Sequence, residues 1–153
     1  MAGESKASYE DANLILRLYE LRREEKMRES RAWFMSQFRP QTFDDVRAVL
    51  MPDHPGNTAF RMVVSYWDMA ASFAVRGPLD ADLLLESAGE LIGVWTLVEP
   101  FIAELREMIQ MPEFLRNLEE VIQKVEWASR RVEWIKARIA ASRPAADAPP
   151  KEE

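Results

Sequence analysis

The stretch from Thr58 to Arg76, TAFRMVVSYWDMAASFAVR, constrains the fold most because its side chains are almost all apolar. From Arg61 onward its polar positions recur at intervals of 4, 3, 4 and 4 residues: Arg61, Ser65, Asp68, Ser72 and Arg76. On a helix these positions fall within an arc of about 80°. A helix that is apolar around the rest of its circumference is buried. We therefore predict that this stretch is the central helix of a bundle.

The same stretch is a poor candidate for a membrane span. A span needs roughly 20 predominantly apolar residues, and Arg61 and Asp68 interrupt this run. The N-terminal sequence MAGESKASYED has no apolar segment behind Lys6 and does not have the pattern of a secretory signal. We therefore expect no transmembrane segment and a cytoplasmic location.

Charge and composition exclude several classes of function. The net charge of the 153 residues is −6, whereas non-specific nucleic-acid binding needs a basic face. There is no cysteine, which excludes disulfides, thiolate nucleophiles and cysteine-ligated metals. The one histidine, His54, cannot supply the Glu-x-x-His pairs of a di-iron bundle, and no glycine-rich phosphate loop is present. We expect no nucleic-acid partner, no metal, no cofactor and no enzymatic activity.

The chain before the central helix is predicted to form one long and one short helix. Ser8 and Asp11 have the spacing of a capping box, and the long helix runs from there to about Phe38. Its middle, residues 22–31, has eight charged side chains in ten. Such a block is typical of a solvated helix, and it would also suit an arm that pairs with another chain.

Turn residues divide the rest of the N-terminal half. Pro40 ends the long helix, and Thr42 with Asp45 opens a short one that reaches about Leu50. The two prolines and the glycine of residues 51–57 predict a loop, in which we expect His54 to be solvated.

After the central helix, Gly77 and Pro78 form a stop signal, and Asp80 is the predicted N-cap of a helix that is kinked at Pro100. Gly89 and Gly93 lie on one face of it, and we expect close approach of another helix there, the central one. Pro112 precedes a last long helix that ends near Ser142. Its heptad seam consists of Leu115, Leu118, Ile122, Val125, Ser129, Val132, Lys136 and Ile139. We predict one helical domain over residues 8–142, with residues 1–7 and 143–153 disordered.

Two tryptophans lie on the side of the last helix that is opposite to this seam. Trp127 and Trp134 are seven residues apart, and three arginines flank them: Arg130, Arg131 and Arg138. Tryptophan and arginine dominate interface hot spots, so this surface could contact a partner or a second copy. In the alternative interpretation another helix covers the indoles, or the arginines stack on them.

The polar stripe of the central helix also allows two interpretations. It could simply face solvent. If it were buried, its charges would need partners, and a pocket formed by Arg61, Asp68 and Arg106 would suit a small anionic ligand.

The middle of the chain is similar to a known family. The run from Phe60 to Glu107 contains the pair Trp67-Asp68, a turn at Gly77 and a leucine-rich helix with Trp95, followed by Pro100, Ile102 and Arg106. In these features it resembles the bacterial domain-of-unknown-function 4760 family over roughly residues 30–125. The resemblance implies a small all-α protein, and it assigns no activity and no site residues. Members of that family can carry an N-terminal membrane helix, whereas the first helix of this chain is heavily charged.

Two functions are consistent with these patterns. The first is a non-enzymatic interaction, scaffolding or regulatory module that self-associates. It is based on the heptad seam, which the polar residues Ser129 and Lys136 interrupt, on the charged helix and on the Trp127/Trp134 surface. The second is a small-ligand-binding or sensory domain that uses the region of Arg61, Asp68 and Arg106. The sequence leaves the partner, the ligand and the oligomer number open.

Overall fold

The computed structural model describes residues 6–143, and all regular elements between these residues are helical. In chain order the α-helices are α1 (Tyr9–Arg22), α2 (Glu25–Gln37), α3 (Phe43–Val49), α4 (Asn57–Val75), α5 (Ala81–Ser87), α6 (Gly89–Val98), α7 (Ile102–Ile109), α8 (Arg116–Lys124) and α9 (Glu126–Ser142). A 3-10 turn, Glu99–Phe101, joins α6 to α7. The predicted all-α class is confirmed. The predicted disordered ends lie mainly outside the described residues.

Helix α4 is the predicted central helix and forms the middle of the core. It packs against both α2 and α8. Its inward side chains are at most 3% exposed: Phe60, Val63, Val64, Trp67, Ala70, Ala71 and Ala74. Burying one large apolar side chain contributes about 1.5–3 kcal/mol, so α4 supplies much of the hydrophobic stabilisation. Arg61, Ser65 and Arg76 of its polar stripe are exposed.

An aromatic cluster joins α2 to α4. The ring of Phe34 lies 4.8 Å from that of Phe38 and 6.1 Å from that of Phe60. The rings of Phe38 and Phe60 are 5.2 Å apart. These separations are typical of attractive aromatic pairs, which add to the gain from burial. The dense apolar patch after the charged block thus docks on the central helix.

The predicted long N-terminal helix is wrong, because the chain breaks between Arg22 and Glu25. Glu24 has an extended backbone (ψ 140°), and its carboxylate accepts hydrogen bonds from the N–H groups of Lys26 and Met27. Glu24 therefore caps a new helix. The break lets α2 follow α4 while α1 lies against α2 and α5.

The predicted long C-terminal helix is also wrong, because it is divided at Val125, whose φ and ψ are −119° and 107°. The Ser129 hydroxyl donates to the carbonyl of Ile122 across the break. Helix α8 packs against α4, whereas α9 packs mainly against α6. The heptad seam is thus shared by two helices that face different parts of the core.

The kink at Pro100 is present as the 3-10 turn, and there is a second break at Ala88 (φ −135°, ψ 58°). The expected glycine contact with α4 is wrong. A Cβ atom on Gly89 would meet no heavy atom within 4 Å, and one on Gly93 would lie 3.6 Å from the Met35 Cε of α2. Neither glycine is therefore needed to make room for the central helix.

The predicted caps are confirmed at three helices. Ser8 with Asp11 and Thr42 with Asp45 form capping boxes, and the Asp80 carboxylate accepts from the Leu83 N–H at 2.8 Å. Within residues 6–143, no helix is both long and apolar enough to cross a bilayer.

Asp11 also connects α1 to the rest of the fold, which makes the docking of α1 sensitive to acid. Its carboxylate accepts from the Ser8 N–H at 2.6 Å and from the Asp80 N–H at 2.8 Å. These hydrogen bonds hold the pKa of Asp11 below its usual 3.8, and the bond from the Ser8 N–H has the largest effect. The ionised Asp11 carboxylate therefore contributes its full stabilisation of the folded state at pH values above the unfolded-state pKa. This contribution is lost as the pH falls through the lowered pKa of the folded state.

We expect amide exchange in α1 to accelerate in that acidic range before exchange in α4 does, and Asp11→Asn to remove this pH dependence. NMR-detected hydrogen exchange and a carboxyl titration measure both effects. An Asp11 carboxyl that titrates at or above 3.8 would contradict the assignment.

Candidate functional site

A polar network connects α2, α4 and α6 inside the fold. The Glu90 carboxylate accepts from Arg31 Nε at 2.9 and 3.0 Å and from the terminal Arg31 nitrogen at 2.7 Å. It also accepts from the Trp67 indole N–H at 3.1 Å. The Arg31 and Glu90 side chains are 27% and 15% exposed. The two carboxylate oxygens are thus occupied, and the network is suited to holding helices together.

The end of α1 joins the same network. The Arg22 guanidinium lies 5.1 Å from the Trp67 ring centroid, and Arg31 donates to the Arg22 carbonyl at 3.3 Å. The Tyr66 hydroxyl donates to the Leu18 carbonyl. Burial raises the pKa of Tyr66 to about 12, so this phenol stays protonated at neutral pH and remains a donor.

An apolar cleft of about 600 Å³ lies beside the exposed stripe of α4. We call it the α4 cleft, and its lining consists of Leu50, Pro52, Asn57, Thr58, Phe60, Arg61, Met62, Val64, Ser65, Ile109 and Phe114. It is thus bounded by the loop before α4, by α4 itself and by the turn after α7. Volumes of 300–1,000 Å³ are typical of small-molecule sites.

Arg61 provides the charge of the α4 cleft. Two of the polar side chains beside it are already engaged, because the Asn57 amide donates to the Val49 carbonyl and the Ser65 hydroxyl donates to the Arg61 carbonyl. None of the ion pairs in residues 6–143 involves Arg61. The cleft therefore combines apolar walls with one cation that has no anionic partner in the described chain.

The other two residues of the predicted anion pocket are used elsewhere. The Asp68 carboxylate accepts from the Leu118 N–H and the Asn117 amide, both at 3.1 Å, and so caps the first turn of α8. Asp68 lines a neighbouring cavity with Met69 and Arg76, and it does not line the α4 cleft. The structure thus separates Arg61 from Asp68.

Arg106 stabilises the turn between α7 and α8. Its Nε donates to the Phe114 carbonyl at 2.9 Å, and its guanidinium pairs with Glu119 at 3.2 Å. This turn contains Gln110 and Leu115, which have φ values of 56° and 57°, a conformation that costs free energy for residues other than glycine. Arg106 thus positions Phe114 at the α4 cleft without lining it.

The Trp127/Trp134 surface is partly covered by the protein itself. The Trp127 indole donates to Asp82 at 3.0 Å, and its ring packs against the core. Trp134 is 46% exposed, and the guanidinium groups of Arg131 and Arg138 lie 4.2 and 4.8 Å from its centroid. Arginine stacking, the alternative interpretation of this surface, therefore describes Trp134.

The third flanking arginine, Arg130, forms an ion pair within its own helix. Arg130 pairs with Glu126 at 2.7 Å, one turn earlier. Arg131, Trp134 and Arg138 therefore remain as the exposed part of the predicted contact surface.

An apolar stripe on the outer face of α1 was not among the surfaces predicted from the sequence. We call it the α1 stripe, and its members are Tyr9, Ala12, Leu16 and Tyr19. They lie within an arc of about 80°, on the side of the helix opposite to the buried Leu18. Tyr9, Leu16 and Tyr19 are 78%, 60% and 49% exposed. The spacing 9, 12, 16, 19 was the signal that could have revealed it.

Metal-binding groups are scattered in the described structure. Between residues 6 and 143, no three His, Asp or Glu side chains come close enough to hold a metal ion. His54 is half-buried rather than solvated as predicted: its Nδ1 accepts from the Gly56 N–H at 2.9 Å, and its ring contacts Trp33 edge-on.

Comparison with known proteins supports the resemblance seen in the middle of the chain. No curated protein and no solved structure gave a significant match. The model of the family described as Domain of unknown function (DUF4760) matches residues 7–127, which include α1 to α8 in full. The chain therefore belongs to the DUF4760 family.

Proposed function

We propose that this protein is a non-enzymatic interaction module of the cytoplasm that self-associates through the α1 stripe. The observation that carries the proposal is the exposure of Tyr9, Leu16 and Tyr19 along one face of a helix whose other face is docked. Exposed apolar side chains along one helix face suit contact with a partner. At one end of the stripe the guanidinium groups of Arg22 and Arg23 lie 5.4 and 5.7 Å from the Tyr19 ring centroid.

The charges of α1 favour a second copy as the occupant of the stripe. Glu10 lies in the first turn, and Arg22 and Arg23 lie at the opposite end. Antiparallel pairing about Leu16 would bring Arg23 of one copy next to Tyr9 and Glu10 of the other. A parallel arrangement would place the two arginine ends together, which costs free energy.

The expected dimer is weak. A helix of 14 residues is about 21 Å long and offers a strip about 10 Å wide. Two such strips bury roughly 400 Å² in total, well below the roughly 1,200–2,000 Å² of stable specific interfaces, so the contact belongs with weak, transient ones. Ala12 contributes little area of its own, although its small side chain would let the two backbones approach closely. We therefore expect a reversible equilibrium that depends on protein concentration.

Light scattering after size exclusion tests the proposal with matched variants. We expect Leu16→Glu to shift the native chain to a folded monomer, because it places two like charges at the centre of the pair. Trp134→Ala tests the predicted tryptophan surface in the same way and should leave the dimer unchanged.

A folded native chain that is monomeric at all concentrations would overturn self-association. Loss of the dimer in Trp134→Ala but not in Leu16→Glu would overturn the assignment to α1. Circular dichroism of each variant serves as the control for folding.

A further inference from the structure

A second surface, remote in sequence from the α1 stripe, leads to an inference that is independent of self-association. We propose that the α4 cleft binds a small amphipathic anion, a molecule with one carboxylate and an unbranched hydrocarbon chain being the simplest member of this class. The proposal depends on the shape of the cleft, its apolar walls and the position of Arg61.

The walls of the α4 cleft suit a hydrocarbon chain. Leu50, Met62, Ile109 and Phe114 are half-buried and belong to three different parts of the fold. A hydrocarbon chain among them would remove their exposed surface from water at about 25 cal/mol per Å². Methionine, with its flexible side chain, also adapts readily to an irregular ligand.

Arg61 suits the anionic end. Thr58, Arg61 and Ser65 all line the cleft and lie within an arc of about 60° on α4. The guanidinium carries two parallel N–H groups that match a carboxylate. Because the chain is acidic, with a net charge of −6, the overall field does not attract anions. Recognition therefore depends on this local cation.

The volume favours a small molecule over a peptide helix. Two turns of a helix with side chains occupy roughly 1,000 Å³, given a diameter of 10–12 Å. The cleft has a volume of about 600 Å³. A helix would leave much of its surface outside, whereas a medium-chain carboxylate fits within.

Isothermal titration calorimetry with octanoate tests the proposal, using octanol as the uncharged analogue and acetate as the anion without a chain. We expect octanoate to bind the native chain with one site per protomer. Octanol should bind about tenfold more weakly, since one charge-assisted pair accounts for at least that factor, and acetate should give no measurable binding.

Three variants locate the site. Arg61→Gln should weaken octanoate binding about tenfold, and Ser65→Phe should abolish it by filling the cleft. Arg76→Gln removes an arginine from the other end of α4, outside the cleft lining, and should change nothing. Arg61, Ser65 and Arg76 are all exposed, so the variants should fold, which circular dichroism checks.

Several results would overturn the proposal: no octanoate binding to the native chain, equal binding to Arg61→Gln, or equal loss in Arg76→Gln. An acidic amphipathic peptide that binds through Arg61 when octanoate does not would assign the cleft to a protein partner instead.

Discussion

Gly56→Ala should destabilise this protein by about 3 kcal/mol, the upper end of the usual cost of overpacking a well-packed core. A Cβ atom at Gly56 would lie 1.8 Å from Trp33 Cζ2 and 2.3 Å from Trp33 Cη2. The indole contacts both Phe38 and His54, at centroid distances of 6.4 and 6.3 Å, so any shift of the ring away from Gly56 disturbs these contacts. Urea unfolding followed by circular dichroism measures the loss. A change of this size is a large part of the stability of a typical domain.

A double-mutant cycle isolates the cause of that loss. In a Trp33→Ala background the added methyl group has space, so Gly56→Ala should cost less than about 1 kcal/mol there. Gly89→Ala is the matched control, since its Cβ atom would meet nothing within 4 Å. It should be neutral or slightly stabilising, because alanine restricts the unfolded chain. Equal losses for the two glycine variants would contradict the packing argument.

Glu90→Ala should cost about 3 kcal/mol, because it leaves a largely buried guanidinium and an indole N–H without their acceptor. Arg31 and Glu90 are 27% and 15% exposed, and Trp67 is 1% exposed. Glu90→Gln keeps an acceptor for the indole and removes only the charge, so its loss should be smaller, about 1–2 kcal/mol. Chemical unfolding of both variants measures the difference.

Glu126→Ala is the matched control for Glu90. Both glutamates lie in the first turn of a helix and pair with an arginine. Each therefore interacts with the dipole of its own helix, and this effect is the same in both variants. The Arg130–Glu126 side chains are 69% and 86% exposed, and a pair in water contributes less than about 1 kcal/mol. If both alanine variants lost the same free energy of unfolding, burial of the Glu90 network would not explain the loss in Glu90→Ala.

Features with a local cause were predictable from the sequence. The capping boxes at Ser8 and Thr42 and the central helix all follow from neighbouring residues, and each is present. The short-range signals agree with the final fold at these positions, so they required no tertiary information.

The helix breaks were not predictable, because their causes lie elsewhere in the fold. Neither Glu24 nor Val125 is near a proline or glycine in sequence, yet each separates helices with different packing partners. Asp68 illustrates the same limit: its carboxylate caps α8 across 50 residues of chain, a contact that helical periodicity cannot reveal.

The candidate sites show a similar division. Arg61 could be identified because it interrupts an apolar run, and the structure places it in a cleft. Its predicted companions, Asp68 and Arg106, are instead engaged with α8 and the turn before it. The α1 stripe was missed because one alanine and two tyrosines on a charged helix give a weak hydrophobic signal, and its exposure depends on which face the bundle covers.

Oxidative cross-linking of Leu16→Cys tests the proposed self-association most directly. The native chain has no cysteine, so a disulfide can only join the residues at position 16 of two copies. We predict rapid formation of a covalent dimer at concentrations where Met108→Cys and Trp134→Cys, which replace residues 37% and 46% exposed, remain monomeric. Equal or slower cross-linking at position 16 would show that the two α1 helices do not meet there, which would contradict the proposed contact.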